Sequence, residues 1–203
     1  MRCLNRMKSM ISNIPNPNTA AHPPAYKQIW FHGCTSVGIW AVQDMVRIKG
    51  EVLPPIPYAD MSSQTSHSSA AWSLSGVGSN LRYTAVAERT TLQARQAALG
   101  RENAHYSVLI PIKKSASWWE MAQDERLAIY ARSEHTNIGL DYLPAIARKL
   151  YHSRDLGEPF DFLTWFEFAA EDSTLFSSLL GRLRATEEWT YVERETEIWL
   201  TCL

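Results

Sequence analysis

The chain has 203 residues, of which 45% are hydrophobic and 20% are charged, and this composition suits a globular protein with a buried core. A formal net charge of −1 argues against a nucleic-acid partner, and the apolar runs are too short for a membrane-spanning helix. The three cysteines are far apart and form no Cys-x-x-Cys pair, which argues against a zinc site or a disulfide framework and favours a cytoplasmic location.

The first 70 residues have a composition that disfavours a compact fold. They contain seven of the ten prolines, and a tract rich in Ser, Thr and His follows Met61. Such a segment buries little apolar surface, so we predict a poorly ordered N-terminal extension over residues 1–70. A short helix or strand is predicted within it over residues 29–48. Translation that begins near Met61 is an alternative explanation of this stretch.

From residue 71 onward the hydrophobic pattern becomes regular. Strands are predicted over residues 71–77, 82–87, 105–112, 160–169 and 191–201. Helices are predicted over residues 88–99, over residues 117–132 and after Asp172, and residues 148–152 are either a strand or a helix end. This order predicts an α+β fold over residues 71–203, a ferredoxin-like α/β sandwich of the dimeric α/β-barrel type.

A lone histidine, His135, follows the helix predicted over residues 117–132. A structural role is the commoner one for a single histidine. A metal held by protein alone needs several ligands at short spacing, and none stand near His135. A haem needs one proximal imidazole, because the porphyrin supplies four nitrogens. If His135 is a ligand, haem therefore fits it better than a bare metal ion.

Other charged residues have two interpretations each. Arg148 is either an arginine with a packed stem and a solvated head, or a fixed cation that orients an oxyanion. Lys114 and Trp118 either belong to a strand end and a core helix, or bind ligand carboxylates through an ammonium and an indole N–H. Glu187 and Glu188 are either solvated, or one of them accepts the imidazole N–H and increases the donor strength of the ring.

Several long, contiguous motifs are present in the chain. They are Trp-Ser-Leu-Ser-Gly-Val at 72–77, Trp-Trp-x-Met at 118–121, Glu-His-Thr at 134–136, Tyr-Leu-Pro-Ala-Ile-Ala-Arg-Lys-Leu-Tyr-His-Ser-Arg-Asp-Leu at 142–156, Phe-Asp-Phe-Leu-Thr-Trp-Phe-Glu-Phe at 160–168 and Leu-Arg-Ala-Thr-Glu-Glu-Trp-x-Tyr-Val at 183–192. Together they resemble the chlorite dismutase family, in particular its short, dimeric branch. The resemblance covers about residues 71–201.

The resemblance implies a homodimeric enzyme that binds haem b and acts on chlorite or another small oxyanion. Chlorite would give a ferryl species and hypochlorite, which would recombine to chloride and dioxygen. His135 would be the proximal iron ligand, and Arg148 would keep hypochlorite near the haem. Lys114 and Trp118 would contact the haem propionates, and Trp119 would pack near the haem. Leu150, Thr164 and Phe166 would line the distal side. Glu188 would accept the N–H of the His135 imidazole. The helical spacing of Leu180 and Leu183 instead favours Glu187 as the partner of the His135 imidazole.

Three other functions stay open at the level of sequence. A related coproporphyrin decarboxylase generally lacks an arginine at the distal position, so Arg148 argues against it. A non-catalytic haem-binding or stress-sensing protein would have the same scaffold. A ferredoxin-like interaction domain would bind no haem.

Overall fold

Eight strands form a closed antiparallel barrel in this computed structural model, which describes residues 28–78, 95 and 97–203. The strands are β1 Gln28–Cys34, β2 Trp40–Lys49, β3 Tyr58–Ser62, β4 Ala70–Gly78, β5 Tyr106–Lys114, β6 Ala147–His152, β7 Phe162–Phe168 and β8 Val192–Cys202. Their order around the barrel is β1-β3-β2-β8-β5-β7-β6-β4, and β4 pairs with β1 to close it.

Helices occupy two of the connections between strands. They are α1 Ala116–Glu120, α2 Gln123–Arg132 and α3 His135–Asp141, all between β5 and β6, and α4 Ser173–Arg184, between β7 and β8. Short 3-10 turns lie at Arg154–Leu156, Ala170–Asp172 and Glu187–Tyr191. Within the described part of the chain, no helix combines the length and the apolarity that a membrane crossing requires.

The strands next to the helices are buried on both faces. Inward side chains such as Leu109, Leu163 and Trp165 pack in the barrel interior with residues from β1, β2 and β4. Outward side chains such as Ile110 and Phe166 pack against α3 and α4. Side chains alternate between the two faces of a strand, so burial on both faces produces the long apolar run that β7 shows. The outer layer positions the functional site.

The predicted ferredoxin-like α/β sandwich is wrong. All strand pairs are antiparallel, and the sheet closes on itself instead of forming one open layer under helices. The prediction counted strands only from residue 71, whereas β1, β2 and β3 lie before that residue and supply the strands that close the barrel.

The boundary predicted at residue 70 does not coincide with a structural boundary. β4 begins at that residue and pairs with β1, and the prolines at 54, 55 and 57 fall in the connection between β2 and β3. Prolines between strands interrupt no ladder of hydrogen bonds. Residues 1–27, the strand predicted over 82–87 and most of the helix predicted over 88–99 lie outside the described residues.

Candidate functional site

A cavity of about 930 Å³, including the space at its open mouth, lies between the outer face of the barrel and the helices. Its lining from the strands includes Ile110, Ile112, Lys114, Arg148, Leu150, His152, Phe162, Thr164 and Phe166. Every second residue of β6 and β7 takes part, as the period of a strand requires. The cavity is therefore mostly apolar, with a few charged groups.

His135 is the first residue of α3, and its imidazole is held in one orientation. Its Nδ1 lies 2.7 Å from Oε2 of Glu188, so this nitrogen donates its N–H to the carboxylate. The ring of Tyr130 stacks on the imidazole at a centroid distance of 4.7 Å. Since Nδ1 is used, Nε2 is the nitrogen available to a ligand in the cavity.

Glu188 and Lys114 form a buried ion pair behind His135. The Lys114 Nζ donates to Oε1 of Glu188 at 2.9 Å and to its backbone carbonyl at 3.1 Å. Burial by itself would raise the pKa of Glu188, but His135 and Lys114 together lower that pKa to about 2. Burial lowers the pKa of Lys114, and the carboxylate opposes this shift. Glu188 is thus charged at neutral pH.

The contact with His135 belongs to Glu188 and not to Glu187. The Glu187 carboxylate accepts two hydrogen bonds from the exposed Arg132 guanidinium, at 3.0 and 2.9 Å. The sequence favoured Glu187 because we assumed that one continuous helix carries Leu180, Leu183 and Glu187 on the same face. In the structure α4 ends at Arg184, and a separate 3-10 turn presents Glu188 to the interior.

Arg148 faces His135 inside the same cavity. It lies on β6, and its Nη1 approaches the His135 Nε2 to 3.5 Å. Leu150 on β6 and Thr164 and Phe166 on β7 line the same wall of the cavity. The structure therefore brings one imidazole and one guanidinium together in an apolar enclosure.

Two predicted ligand contacts have other partners. Lys114, predicted to bind propionates with Trp118, is committed to Glu188, and its ammonium lies 4.6 Å from the Trp118 ring centroid. Trp118 lines the cavity, whereas Trp119 is not among its lining residues. The Trp119 Nε1 donates to Oδ2 of Asp161 at 3.2 Å. Trp119 is thus tied to a buried carboxylate.

Sequence reasoning missed several cavity residues, among them Arg126, Tyr130 and Trp189. The first two are four residues apart and share one face of α2. That spacing is visible in the sequence, but it does not say which face of the helix meets the cavity. Trp189 follows Glu188 in the 3-10 turn, whose geometry the sequence pattern did not indicate.

Comparisons with known proteins point to one family. The sequence profile of the family described as "Chlorite dismutase" matches residues 59–202. The crystal structure of a dimeric chlorite dismutase from Nitrobacter winogradskyi is 50% identical, with a TM-score of 0.80, and covers 86% of this chain and 99% of that one. The chlorite dismutase of Candidatus Nitrospira defluvii in complex with imidazole is 30% identical, with a TM-score of 0.55, over 66% of this chain and 56% of that one.

A further relative is the chlorite dismutase of Ideonella dechloratans, which is 36% identical over 86 residues. That stretch is 42% of this chain but only 28% of the relative's length. The family profile, in contrast, matches well over half of the 203 residues. This protein therefore belongs to the chlorite dismutase family.

Proposed function

We propose that the chain binds haem b in this cavity and decomposes chlorite to chloride and dioxygen. One observation carries the proposal: His135 has Nδ1 fixed by the Glu188 carboxylate and Nε2 directed into an apolar cavity that also holds Arg148. This is the arrangement of a proximal ligand with an oriented outer-shell partner.

The side chains fit a haem better than a bare metal ion. Among the described residues, no group of three or more His, Cys, Asp and Glu is arranged to hold a metal. A porphyrin needs only one imidazole, which His135 supplies, and aromatic and aliphatic walls suit its flat surface. The Arg148 Nη1 now lies 3.5 Å from the His135 Nε2, so the guanidinium would turn aside to admit a haem at this nitrogen.

Glu188 and Lys114 would tune the proximal ligand. The charged carboxylate accepts the imidazole N–H and so gives His135 partial imidazolate character, which increases its donor strength. The Lys114 ammonium fixes the position of that carboxylate from behind. This role replaces the propionate contact that we predicted for Lys114.

Arg148 would act on the oxyanions. When bound, the haem iron would supply the redox chemistry that removes oxygen from chlorite. The guanidinium is permanently charged and offers forked donors, so it can orient chlorite and then retain hypochlorite. In an apolar enclosure such a fixed charge acts more strongly than in water. Retention allows the two oxygen atoms to join before hypochlorite escapes and oxidises the protein.

Reconstitution and an oxygen electrode test this proposal. The protein is purified, incubated with haemin and desalted, and chlorite is then added. We expect a Soret band and about one dioxygen per chlorite, as the balanced reaction requires. A protein without a Soret band would refute the haem site. A Soret band without oxygen release would identify the non-catalytic haem-binding alternative.

We also propose that the protein is a homodimer. The support is its 50% identity to the Nitrobacter winogradskyi enzyme, which is described as dimeric and which the chain covers almost completely. Light scattering coupled to gel filtration should give twice the chain mass of 23.1 kDa. A monomer at micromolar concentration would contradict this proposal.

A further inference from the structure

Arg126 is a cavity-lining cation without a carboxylate partner in the described structure. Arg148, which lines the same cavity, faces His135. Lys114, on the same cavity, is committed to Glu188. Arg154 packs over the Trp119 ring but shares the Asp161 carboxylate and is not among the lining residues. A guanidinium that lines a cavity without a counter-charge can accept an anionic ligand through charge-assisted hydrogen bonds.

The hydrogen bonding of Arg126 is also incomplete. Its Nη1 reaches the Trp119 carbonyl only at 3.4 Å, and its Nε is buried without a hydrogen-bond partner. A buried donor without an acceptor costs free energy, which an incoming acceptor would recover. Because the residue is partly exposed, it lies where the cavity meets solvent.

The helix places Arg126 at a fixed offset from the proximal ligand. Arg126 and Tyr130 are one turn apart on the same face of α2, about 6 Å along its axis. Tyr130 stacks on His135, at the position of the iron ligand. Arg126 therefore lies one helical turn from the ring that stacks on His135, and it lines the same cavity.

We propose that Arg126 binds a carboxylate at the edge of the porphyrin. This inference rests on the proposed function, since it takes His135 as the iron ligand. It assigns to Arg126 the propionate contact that the sequence analysis gave to Lys114. The guanidinium provides two parallel N–H donors, which match a carboxylate in a bidentate geometry.

Two ligands that differ only in their carboxylates test this inference. Haemin and its dimethyl ester are titrated into the wild type, Arg126→Gln and Arg126→Lys, and the Soret change gives each dissociation constant. The wild type should prefer haemin. Arg126→Gln should weaken haemin binding about 10-fold or more, as expected for a lost charge-assisted hydrogen bond, and should change ester binding little. Arg126→Lys should retain part of the preference, because the charge remains.

Arg132→Gln is the matched control. Arg132 lies on the same helix, but its ion pair with Glu187 is exposed and outside the cavity, so the preference for haemin should be unchanged. A loss of folded protein would affect both ligands equally, and their ratio therefore reports on the carboxylate alone.

The outcomes separate this inference from the function on which it rests. If the wild type binds haemin and Arg126→Gln keeps the full preference for haemin over the ester, Arg126 does not hold the carboxylate and only this inference fails. A higher KM for chlorite with unchanged haemin affinity would likewise overturn it, since Arg126 would then act on the substrate. If the wild type binds neither ligand, the proposed function fails as well.

Discussion

Buried or half-buried histidines lie in two places on the outside of the barrel, and only one of these places borders the cavity. On the side of β1, β3 and β4, His32 lies between Ser73 and Ser62, at 2.8 and 3.2 Å from its two ring nitrogens. His67 contacts Asp60 through Nε2 and Cys34 through Nδ1. Both nitrogens of each ring are therefore occupied by protein groups.

His135, on the helix-covered side, also contacts a carboxylate, but through one nitrogen only. Its other nitrogen faces the cavity and Arg148. Burial and a carboxylate partner are thus common to both sides of the barrel. The difference is an imidazole nitrogen directed at a mostly apolar cavity, and this difference favours the helix-covered side for the proposed haem.

Replacement of His135 by Ala should have the largest effect. We expect complete loss of stable haem binding, because the cavity would keep its walls but lose the iron ligand. The measurement is the Soret absorbance that remains after desalting. His67→Ala is the control from the other side of the barrel and should retain haem. Equal haem retention in the two variants would show that the comparison of the two sides is mistaken.

Replacement of Arg148 by Ala should leave haem bound but impair turnover. The fixed charge near the reacting oxyanion would be lost, and we expect kcat to fall on the order of 10²-fold, with faster bleaching of the haem by escaped hypochlorite. Oxygen yield per mole of enzyme before inactivation measures this effect. Lys149→Met is the control. Lys149 is a cation on the same strand whose side chain points to the opposite face, so this variant should keep the oxygen yield. A normal yield in Arg148→Ala would rule out the retention role.

The sequence analysis singled out residues that lie together in the structure, whereas its predicted fold is wrong. His135, Arg148, Leu150, Thr164 and Phe166 all line one cavity, because strand alternation and contiguous motifs fix which residues share a face. Barrel closure was missed because residues 28–62 were judged by their prolines and polar tracts. Those prolines lie between strands, and closure depends on pairings of residues far apart in the chain.

Contacts between separate elements were also beyond the sequence pattern. Lys114 is 74 residues from Glu188, and their pairing depends on the 3-10 turn that follows α4. The stacking of Tyr130 on His135 depends on the break between α2 and α3, where Glu134 adopts a positive φ of 50°. A periodic pattern describes one element at a time, so it cannot report how two elements meet.

Replacement of Glu188 by Gln should destabilise the protein far more than the same change at Glu187. The first variant leaves the Lys114 ammonium buried without its partner, which typically costs about 3–5 kcal/mol. The second removes an exposed ion pair with Arg132, and such pairs contribute little to stability because water screens them. Urea unfolding of both variants measures the difference. Equal losses would show that Glu188 is not the buried partner.

The charge of Glu188 should also make stability depend on pH. The pKa of this carboxyl is about 2 in the folded protein and about 4.3 in an unfolded chain. The unfolded state therefore binds a proton first as the pH falls, and acid favours unfolding. We expect the stabilisation to be complete above about pH 5 and to decline towards pH 2, by roughly 3 kcal/mol in total. Unfolding curves measured between pH 6 and pH 3 should have a steeper pH dependence in the wild type than in Glu188→Gln, which has no carboxyl to titrate. The Lys114–Glu188–His135 contacts distinguish the helix-covered side from the rest of the barrel. Parallel profiles would mean that these contacts contribute nothing to the acid sensitivity of the fold.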